Sequence, residues 1–114
     1  MNQIVLNEFT ANLKKVKYKN ILQDLKLNFV TEECTYIYLS LIKIKKSQQS
    51  QGYGSAVMSE LIKLADAENV QLRLYATNIY GADLKRLYGF YRKHGFVLEN
   101  ELNDGKFIYR PKKH

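Results

Sequence analysis

Two glycines stand one residue apart, at positions 52 and 54, where a run of strand-like residues gives way to a helical pattern. A strand that enters a helix through such a turn leaves the first N–H groups of the helix unpaired, and the helix dipole adds partial positive charge there. Glycines also lack the β-carbon that would keep an anion away from the backbone. The segment therefore predicts a phosphate-binding turn, to which Lys45, Lys46 and residues 48–51 add further donors.

A purely structural interpretation of this turn stays open, because glycine can also serve only the dihedral angles of a tight strand-to-helix connection. Two common nucleotide-binding patterns do not fit the segment. It lacks the G-x-x-x-x-G-K-[ST] spacing of a nucleotide P-loop, and it lacks the third glycine and distal acid of a dinucleotide-binding fold. Neither of these two classes is therefore indicated.

The totals describe a chain of ordinary globular composition with a strong basic bias. The 114 residues suffice for one domain, predicted to span 1–114, and 46% of them are hydrophobic. No apolar run approaches the length of a membrane span, and the first residues do not resemble a secretory signal. Since Cys34 is the only cysteine, we expect a cytoplasmic protein in which Cys34 is a small hydrophobic residue of a strand. The net charge of +7 favours a polyanionic ligand without identifying one.

Two consecutive segments after residue 24 predict an antiparallel hairpin. Apolar and polar residues alternate over 25–31, which is the period of a half-buried strand. β-branched and aromatic residues fill both faces of 34–46, which is typical of a central strand. Glu32 and Glu33 offer the turn between the two strands.

A helix and a parallel strand are predicted to follow the glycine turn. Apolar residues recur at helical spacing over 53–68, and Asn69 suits the end of that helix. Residues 71–76 form a short strand. Strand, helix and strand in this order, with a crossover of this length, predict a right-handed βαβ unit with parallel strands.

The end of the chain predicts a second helix and two strands. Asp83 can cap a helix over 84–94, and Gly95 supplies its left-handed exit. Strands over 96–101 and 106–110 then follow.

The start of the chain is less clearly patterned. Spacing predicts a helix over about 3–15, although 2–8 fit a short strand equally well. Residues 20–25 suggest a further turn of helix.

Two motifs resemble hallmarks of the GNAT family of N-acetyltransferases. Residues 49–54, QSQGYG, resemble its Q/R-x-x-G-x-G/A signature, at the junction of an apolar strand and an amphipathic helix. Residues 90–96, FYRKHGF, resemble its second hallmark, a helix that ends in F/L-Y-x-K-x-G-F. The resemblance covers about residues 25–110. It implies an α/β (α+β) fold in which helices flank a mixed, mostly antiparallel sheet with a central parallel βαβ unit, here with a shortened N-terminal region.

The resemblance implies acetyl-CoA as co-substrate and no metal. The coenzyme's pyrophosphate would sit on the backbone amides of residues about 50–55. Its pantetheine arm would pair with the free edge of the strand before the turn, where two parallel strands splay. The residues so assigned to the coenzyme are Ile42, Ile44, Gln49, Ser50, Gln51, Gly52, Tyr53, Gly54 and Ser55.

The resemblance also implies that an amine attacks the thioester directly and that Tyr91, in the second hallmark, protonates the leaving thiolate. A phenol is protonated at neutral pH and can donate. Tyr91 can equally be the last apolar contact of its helix, so both readings stay open. Asn78 lies too far from Tyr91 for the family's coenzyme-binding asparagine to be carried over to it.

No general base is assigned from the sequence. The glutamate that relatives often carry on the strand before the turn is absent, because residues 36–45 hold no acid. The acids Glu32 and Glu33 belong to a turn. Asp83, or a water chain held by three strand hydroxyls, remains open; those hydroxyls belong to Tyr36, Tyr38 and Ser40.

The region ahead of residue 25 is shorter than in typical family members, where it helps to wall the acceptor side. A shortened wall suggests an open site, which suits a macromolecular acceptor such as a protein lysine, or a homodimer that completes the site. Small members of this trimmed kind occur in phages and mobile elements, and some modify host proteins.

Two other classes remain as alternatives to an acetyltransferase. Nine tyrosines and the net charge of +7 suit a basic, aromatic surface for nucleic acid. A non-catalytic member of the fold, used for protein interaction, would keep the shape of the glycine turn and lose affinity for the coenzyme.

Overall fold

The computed structural model describes residues 1–49, 51–76, 84–99 and 105–112. The roles predicted for Ser50, Asn78 and Asp83 fall outside these residues. No helix within the described ranges is long and apolar enough to cross a membrane.

Five strands form one sheet in the order β1-β2-β3-β5-β4. The strands are β1 (Leu22–Val30), β2 (Tyr36–Ile44), β3 (Gln71–Tyr75), β4 (Val97–Leu98) and β5 (Lys106–Tyr109). The helices are α1 (Gln3–Asn12), α2 (Tyr53–Glu68) and α3 (Leu84–Lys93), with a π-helical turn at Leu13–Lys17 and a 3-10 turn at Lys46–Gln48. Strands β2 and β3 are parallel and the other neighbours are antiparallel, which confirms the predicted fold class.

Helix α2 has the bounds that the sequence predicts, because both of its ends are set by local backbone chemistry. Gly52 precedes it in the left-handed region, with φ 83° and ψ 4°. Asn69 ends it in the same region, with φ 54°, a conformation that asparagine tolerates better than most residues. The predicted helix near the N-terminus is also confirmed, as α1 and the π-helical turn.

The helical turn predicted over 20–25 is wrong, because β1 already begins at Leu22. Leu22 lies opposite Ile44 on β2, and Lys45 N donates to Ile21 O at 2.8 Å. The apolar spacing of this short segment suits a helix and a strand equally well. Pairing with the long strand β2 therefore decides that the segment is a strand.

The prediction that Cys34 is a hydrophobic residue of a strand is also wrong. Cys34 is exposed in the connection between β1 and β2. Its sulfur accepts a hydrogen bond from an Arg73 guanidinium nitrogen at 3.2 Å. It therefore contributes to the surface rather than to the core.

The buried side chains of all three helices belong to a core on one face of the sheet. Register aligns Leu27, Leu39, Leu74 and Phe107 across four strands on this face. Leu6 of α1, Val57, Met58 and Leu61 of α2, and Tyr91 of α3 pack against them. This packing holds α2 over the parallel pair β2 and β3, and it holds α3 against Phe107 of β5.

On the opposite face the register aligns Asn28, Tyr38 and Arg73, and the Arg73 guanidinium lies 4.4 Å from the centre of the Tyr36 ring. We call these four residues the tyrosine face. Tyr36 and Tyr38 are half-buried, and Asn28 is exposed. Both tyrosines therefore point away from the core that holds α2 and α3.

Tyr109 ties the last strand to α2. Its hydroxyl donates to Asp66 Oδ1 at 2.9 Å, and the same oxygen accepts the N–H of Lys112 at 3.0 Å. Burial and the Asp66 carboxylate raise the pKa of Tyr109 to about 12.

We expect this raised pKa to make the protein lose stability at alkaline pH. The folded state holds the phenol proton more tightly than the unfolded chain does, because the tyrosine pKa of the unfolded chain is about 10. The contribution is therefore complete below about pH 10 and is lost as the pH rises towards about 12. Urea midpoints across this range should fall more steeply for the wild type than for Tyr109→Phe. The exposed-ring variant Tyr75→Phe is the control, and equal slopes in wild type and Tyr109→Phe would rule out the linkage.

Candidate active site

A β-bulge in the pairing of β2 with β1 lies next to the point where the pairing of β2 with β3 ends. Lys26 lies opposite Leu41 and Leu27 lies opposite Leu39, so Ser40 is an extra residue on β2. The Ser40 hydroxyl donates to Lys26 O at 3.3 Å. A bulge bends its strand and increases the local twist. The pairing of β2 with β3 ends at Leu39, although β2 itself continues to Ile44.

A cleft of about 730 Å³ lies beside this free segment of β2. Its floor is the continuous stretch 39–44, and Leu74 and Tyr75 of β3 form the opposite side. Leu87 and Tyr91 of α3 line it from the helix layer, and Gln49 lines the end next to the glycine turn. The cleft therefore extends from the splayed strands to Gln49, three residues before Gly52.

Three of the residues predicted to bind coenzyme line this cleft, namely Ile42, Ile44 and Gln49. The Gln49 side-chain amide donates to Ile44 O at 3.2 Å. A carbonyl oxygen has two lone pairs, so this bond leaves Ile44 with acceptor capacity. The other described residues assigned to the coenzyme form the turn and the start of α2. They are Gln51, Gly52, Tyr53, Gly54 and Ser55.

The first turn of α2 presents unpaired backbone donors. No side chain caps the helix, and the first described amide with an acceptor is that of Ala56, which donates to Gly52 O at 3.1 Å. Within the described residues, the N–H groups of Tyr53, Gly54 and Ser55 have no partner. These groups and the helix dipole form a positive end that attracts anions.

The two glycines of the turn differ in what the protein itself requires of them. Gly52 has a positive φ, which strongly favours glycine, and a β-carbon there would meet nothing within 4 Å. Gly54 has ordinary helical geometry, and its β-carbon would lie 3.7 Å from Phe90 Cζ, an ordinary contact. The dihedral explanation therefore accounts for Gly52 and leaves Gly54 unexplained. The space in front of Gly52 is free of side chains among the described residues.

Tyr91 is both a core residue and a cleft residue. Its side chain is 9% exposed and packs against the rings of Phe90, Phe96 and Phe107. It also lines the cleft next to the free segment of β2. Burial raises the pKa of Tyr91 above its usual value near 10, so the phenol stays protonated at neutral pH. The two sequence interpretations of Tyr91 are thus compatible.

Asp24 is an acid that the sequence did not single out, and it lines the cleft together with Lys43. Its Oδ1 accepts hydrogen bonds from Lys14 Nζ at 3.1 Å and from the N–H of Leu25 at 2.9 Å. These two bonds lower the pKa of Asp24. A carboxylate with a lowered pKa is a weak base, so Asp24 is better suited to structural ion pairing than to proton abstraction.

The three hydroxyls considered for a water chain do not lie together. Ser40 lines the cleft, whereas Tyr36 and Tyr38 belong to the tyrosine face. Glu32 and Glu33 are exposed at the far end of the hairpin, as their turn position predicts. Ser40 is the one member of this set positioned for contact with a ligand in the cleft.

His94 contacts the first turn of α2, and the sequence reasoning did not assign it to the site. Its Nε2 lies 3.1 Å from the Ser55 hydroxyl. Its ring packs edge-on against Phe90, with 4.8 Å between the two ring centres. Burial, and secondarily the Lys93 charge, lower the pKa of His94. The sequence shows that His94 belongs to the family-like stretch 90–96. It does not show that His94 contacts Ser55, 39 positions earlier.

Metal chemistry has no candidate ligand set in the described part of the chain. No group of three or more His, Cys, Asp or Glu side chains is arranged to hold an ion there.

Residues 23–96 match the model of the acetyltransferase (GNAT) family. The match covers more than half of the 114 residues and includes the splayed strands, the glycine turn and Tyr91. The chain therefore belongs to the GNAT family of acetyltransferases, as its two motifs predict. No curated protein matches the sequence significantly.

Solved structures of toxin–antitoxin complexes share the fold. The AtaT–AtaR complex bound to DNA has a TM-score of 0.61 at 18% identity, covering 93% of this chain and 79% of that chain. AtaTR bound with acetyl-CoA has a TM-score of 0.55 at 17% identity, covering 96% and 80%. The KacTA–DNA complex has a TM-score of 0.50 at 22% identity, covering 94% and 79%. At these identities the similarity shows the fold alone.

Proposed function

We propose that this protein, as one domain over 1–114, transfers the acetyl group of acetyl-CoA to a primary amine. The observation that carries the proposal is one cleft that follows the free edge of β2 as far as Gln49, three residues before Gly52, with Tyr91 in its wall. A coenzyme with a diphosphate at one end and a thioester at the other matches that layout. AtaTR, which shares the fold, is bound with acetyl-CoA.

The coenzyme's diphosphate binds the first turn of α2. Unpaired amides of Tyr53, Gly54 and Ser55 supply the donors, and Gly52, where a β-carbon would project into open space, leaves the approach to them clear. Gln49 and Gln51 lie on the chain that leads into this turn.

The pantetheine arm lies along β2 at Ile42 and Ile44. Its two amide groups then complete the backbone hydrogen bonding that β3 stops providing after Leu39. The thioester thereby reaches the region of the Ser40 bulge, near the Tyr91 wall of the cleft.

Chemistry proceeds by direct attack. The neutral amine nitrogen bonds to the thioester carbonyl carbon, the C–S bond breaks, and the coenzyme leaves as a thiolate that takes the phenol proton of Tyr91. The attacking nitrogen releases its surplus proton to water as the amide forms, and a proton from water restores the Tyr91 phenol. The acceptor's ammonium proton leaves before the attack, through water, because the one described carboxylate of the cleft, Asp24, is held by Lys14.

The acceptor is a primary amine, and a protein lysine is our first candidate. The cleft is open to solvent, and none of its described lining residues precedes Gln23. An open site of this kind admits an amine that belongs to a macromolecule, or it is completed by a second copy in a homodimer. We propose that the protein acts in the cytoplasm.

The fold similarity suggests a partner for such an enzyme. AtaT is a toxin that binds the antitoxin AtaR. By analogy, we propose that a partner protein with an acidic segment controls this chain, whose net charge of +7 favours such a partner.

A test of the proposed function is transfer of labelled acetyl from acetyl-CoA to a panel of amines. The panel contains a lysine peptide, a peptide with a free N-terminus, a polyamine and an aminonucleoside, and mass spectrometry identifies the product. We expect a stable acetamide on at least one primary amine. Thiol release without any acetylated amine, or no consumption of acetyl-CoA, would contradict the proposal.

Nucleic-acid binding is a second candidate, and the tyrosine face is the observation that favours it. Two half-buried tyrosines and an arginine on a sheet surface can stack on unpaired bases. Binding of a single-stranded oligonucleotide that weakens steeply with salt and is lost in Tyr38→Ala would support this function.

A further inference from the structure

The hydroxyl of Ser55 can serve a bound phosphate only if its hydrogen points away from His94. Ser55 is the third residue of α2, in the turn that the proposed function assigns to the diphosphate. A serine hydroxyl has one proton and can donate only one bond at a time. Either group can be the donor in the 3.1 Å hydrogen bond between Ser55 Oγ and His94 Nε2. The choice of donor decides whether the serine proton is available to a ligand.

In one direction Ser55 donates to Nε2, and its proton is unavailable. In the other, Nε2 carries the proton and donates to Ser55 Oγ, so that the serine proton is free to point at an anion. Because burial lowers the pKa of His94, the ring is neutral at neutral pH, and both tautomers are accessible.

The backbone of His94 is fixed, so the ring is well placed to set this direction. Its N–H donates to Tyr91 O at 3.1 Å at the end of α3, and Gly95 follows with φ 90°. Phe90 holds the ring from one side and also lies behind Gly54. The charged residue next to His94 is Lys93 of α3, and the polar group that contacts the His94 ring from α2 is the Ser55 hydroxyl.

We propose that His94 is a positioning residue of the coenzyme site, whose Nε2–H donates to Ser55 Oγ and so directs the serine hydroxyl proton at a coenzyme phosphate. This inference rests on the proposed function. It adds one side-chain donor to the three backbone donors of α2, and it makes the end of α3 part of the phosphate site.

The test is calorimetric titration of acetyl-CoA into the wild type and four variants. These are Ser55→Ala, His94→Leu, His94→Gln and the double variant Ser55→Ala with His94→Leu. One hydrogen bond to a charged group corresponds to a roughly 10-fold change in affinity. We expect Ser55→Ala and His94→Leu each to bind about 10-fold more weakly, and the double variant no more weakly than either single one.

His94→Gln keeps an N–H donor near the Nε2 position and should bind within about threefold of the wild type. In steady-state assays the loss in His94→Leu should fall on KM for acetyl-CoA rather than on kcat. A purely structural histidine would instead lower the melting temperature while Ser55→Ala bound normally.

The outcomes separate the two claims. If the wild type does not bind acetyl-CoA, the proposed function fails and this inference fails with it. If the wild type binds but Ser55→Ala binds equally well, or if the two losses multiply in the double variant, only the role of His94 is overturned.

Discussion

Gly52→Glu is expected to abolish the thermal stabilisation that acetyl-CoA gives the wild type. A ligand at one hundred times its dissociation constant adds about 2.7 kcal/mol of stability, which raises the melting temperature by roughly 10 °C for a chain of this size. The Gly52 position faces open space at the start of α2. A glutamate there places a negative charge against a diphosphate, so the coenzyme should be excluded.

Gly52→Gln is the matched control for this variant. Both substitutions force a side chain into the left-handed region at φ 83°, so both should lower the stability of the free protein by the same ~1–2 kcal/mol. Only the glutamate adds charge, and Gly52→Gln should retain part of the coenzyme-induced shift. A full shift in Gly52→Glu would mean that the diphosphate does not lie at this turn.

Tyr91→Phe is expected to lower kcat by about 10²- to 10³-fold while acetyl-CoA binding stays within about twofold of the wild type. The variant keeps the ring that packs against Phe96 and Phe107 and removes only the proton donor. The measurement is steady-state turnover at saturating coenzyme, with calorimetry for binding. Because burial raises the pKa of Tyr91, the phenol should not limit wild-type turnover between about pH 6 and about pH 9.

Tyr88→Phe is the control for the loss of a phenol from α3. Tyr88 packs edge-on against Phe107, with 5.0 Å between the two ring centres. It is not among the residues that line the cleft. Its variant should turn over at the wild-type rate. Equal turnover in wild type and Tyr91→Phe would return Tyr91 to a packing role. A wild type that binds coenzyme and transfers nothing would instead indicate a non-catalytic member of the family.

The elements around the glycine turn could be predicted because their signals are local. Gly52 and Asn69 set both ends of α2 through backbone conformations that few other residues adopt. The continuous apolar pattern of 34–46 correctly indicates an interior strand, and the order strand, helix, strand correctly gives the parallel pairing of β2 with β3.

The shape of the cleft could not be predicted, because it depends on pairing between distant residues. The bulge at Ser40 arises from the register between β1 and β2, and nothing in the pattern of residues 36–44 marks one residue as extra. The same holds for His94, whose partner Ser55 lies on another helix. Cys34 was misjudged because strand-like neighbours do not reveal where a hairpin connection begins.

The coenzyme-binding residues themselves remain predictions of mixed origin. Ile42, Ile44 and Gln49 follow from the family resemblance, and the structure brings them to one cleft. Gly54 follows from the resemblance as well, and among the described residues a β-carbon there would make only an ordinary contact with Phe90.

The most direct measurement is an amide NMR titration of the labelled protein with acetyl-CoA. If the first turn of α2 holds the diphosphate, the N–H signals of Tyr53, Gly54 and Ser55 should shift most and saturate together with the signals of Ile42 and Ile44 along the free edge of β2. Saturation that leaves those three amides unmoved, or no spectral change at millimolar coenzyme, would contradict the account.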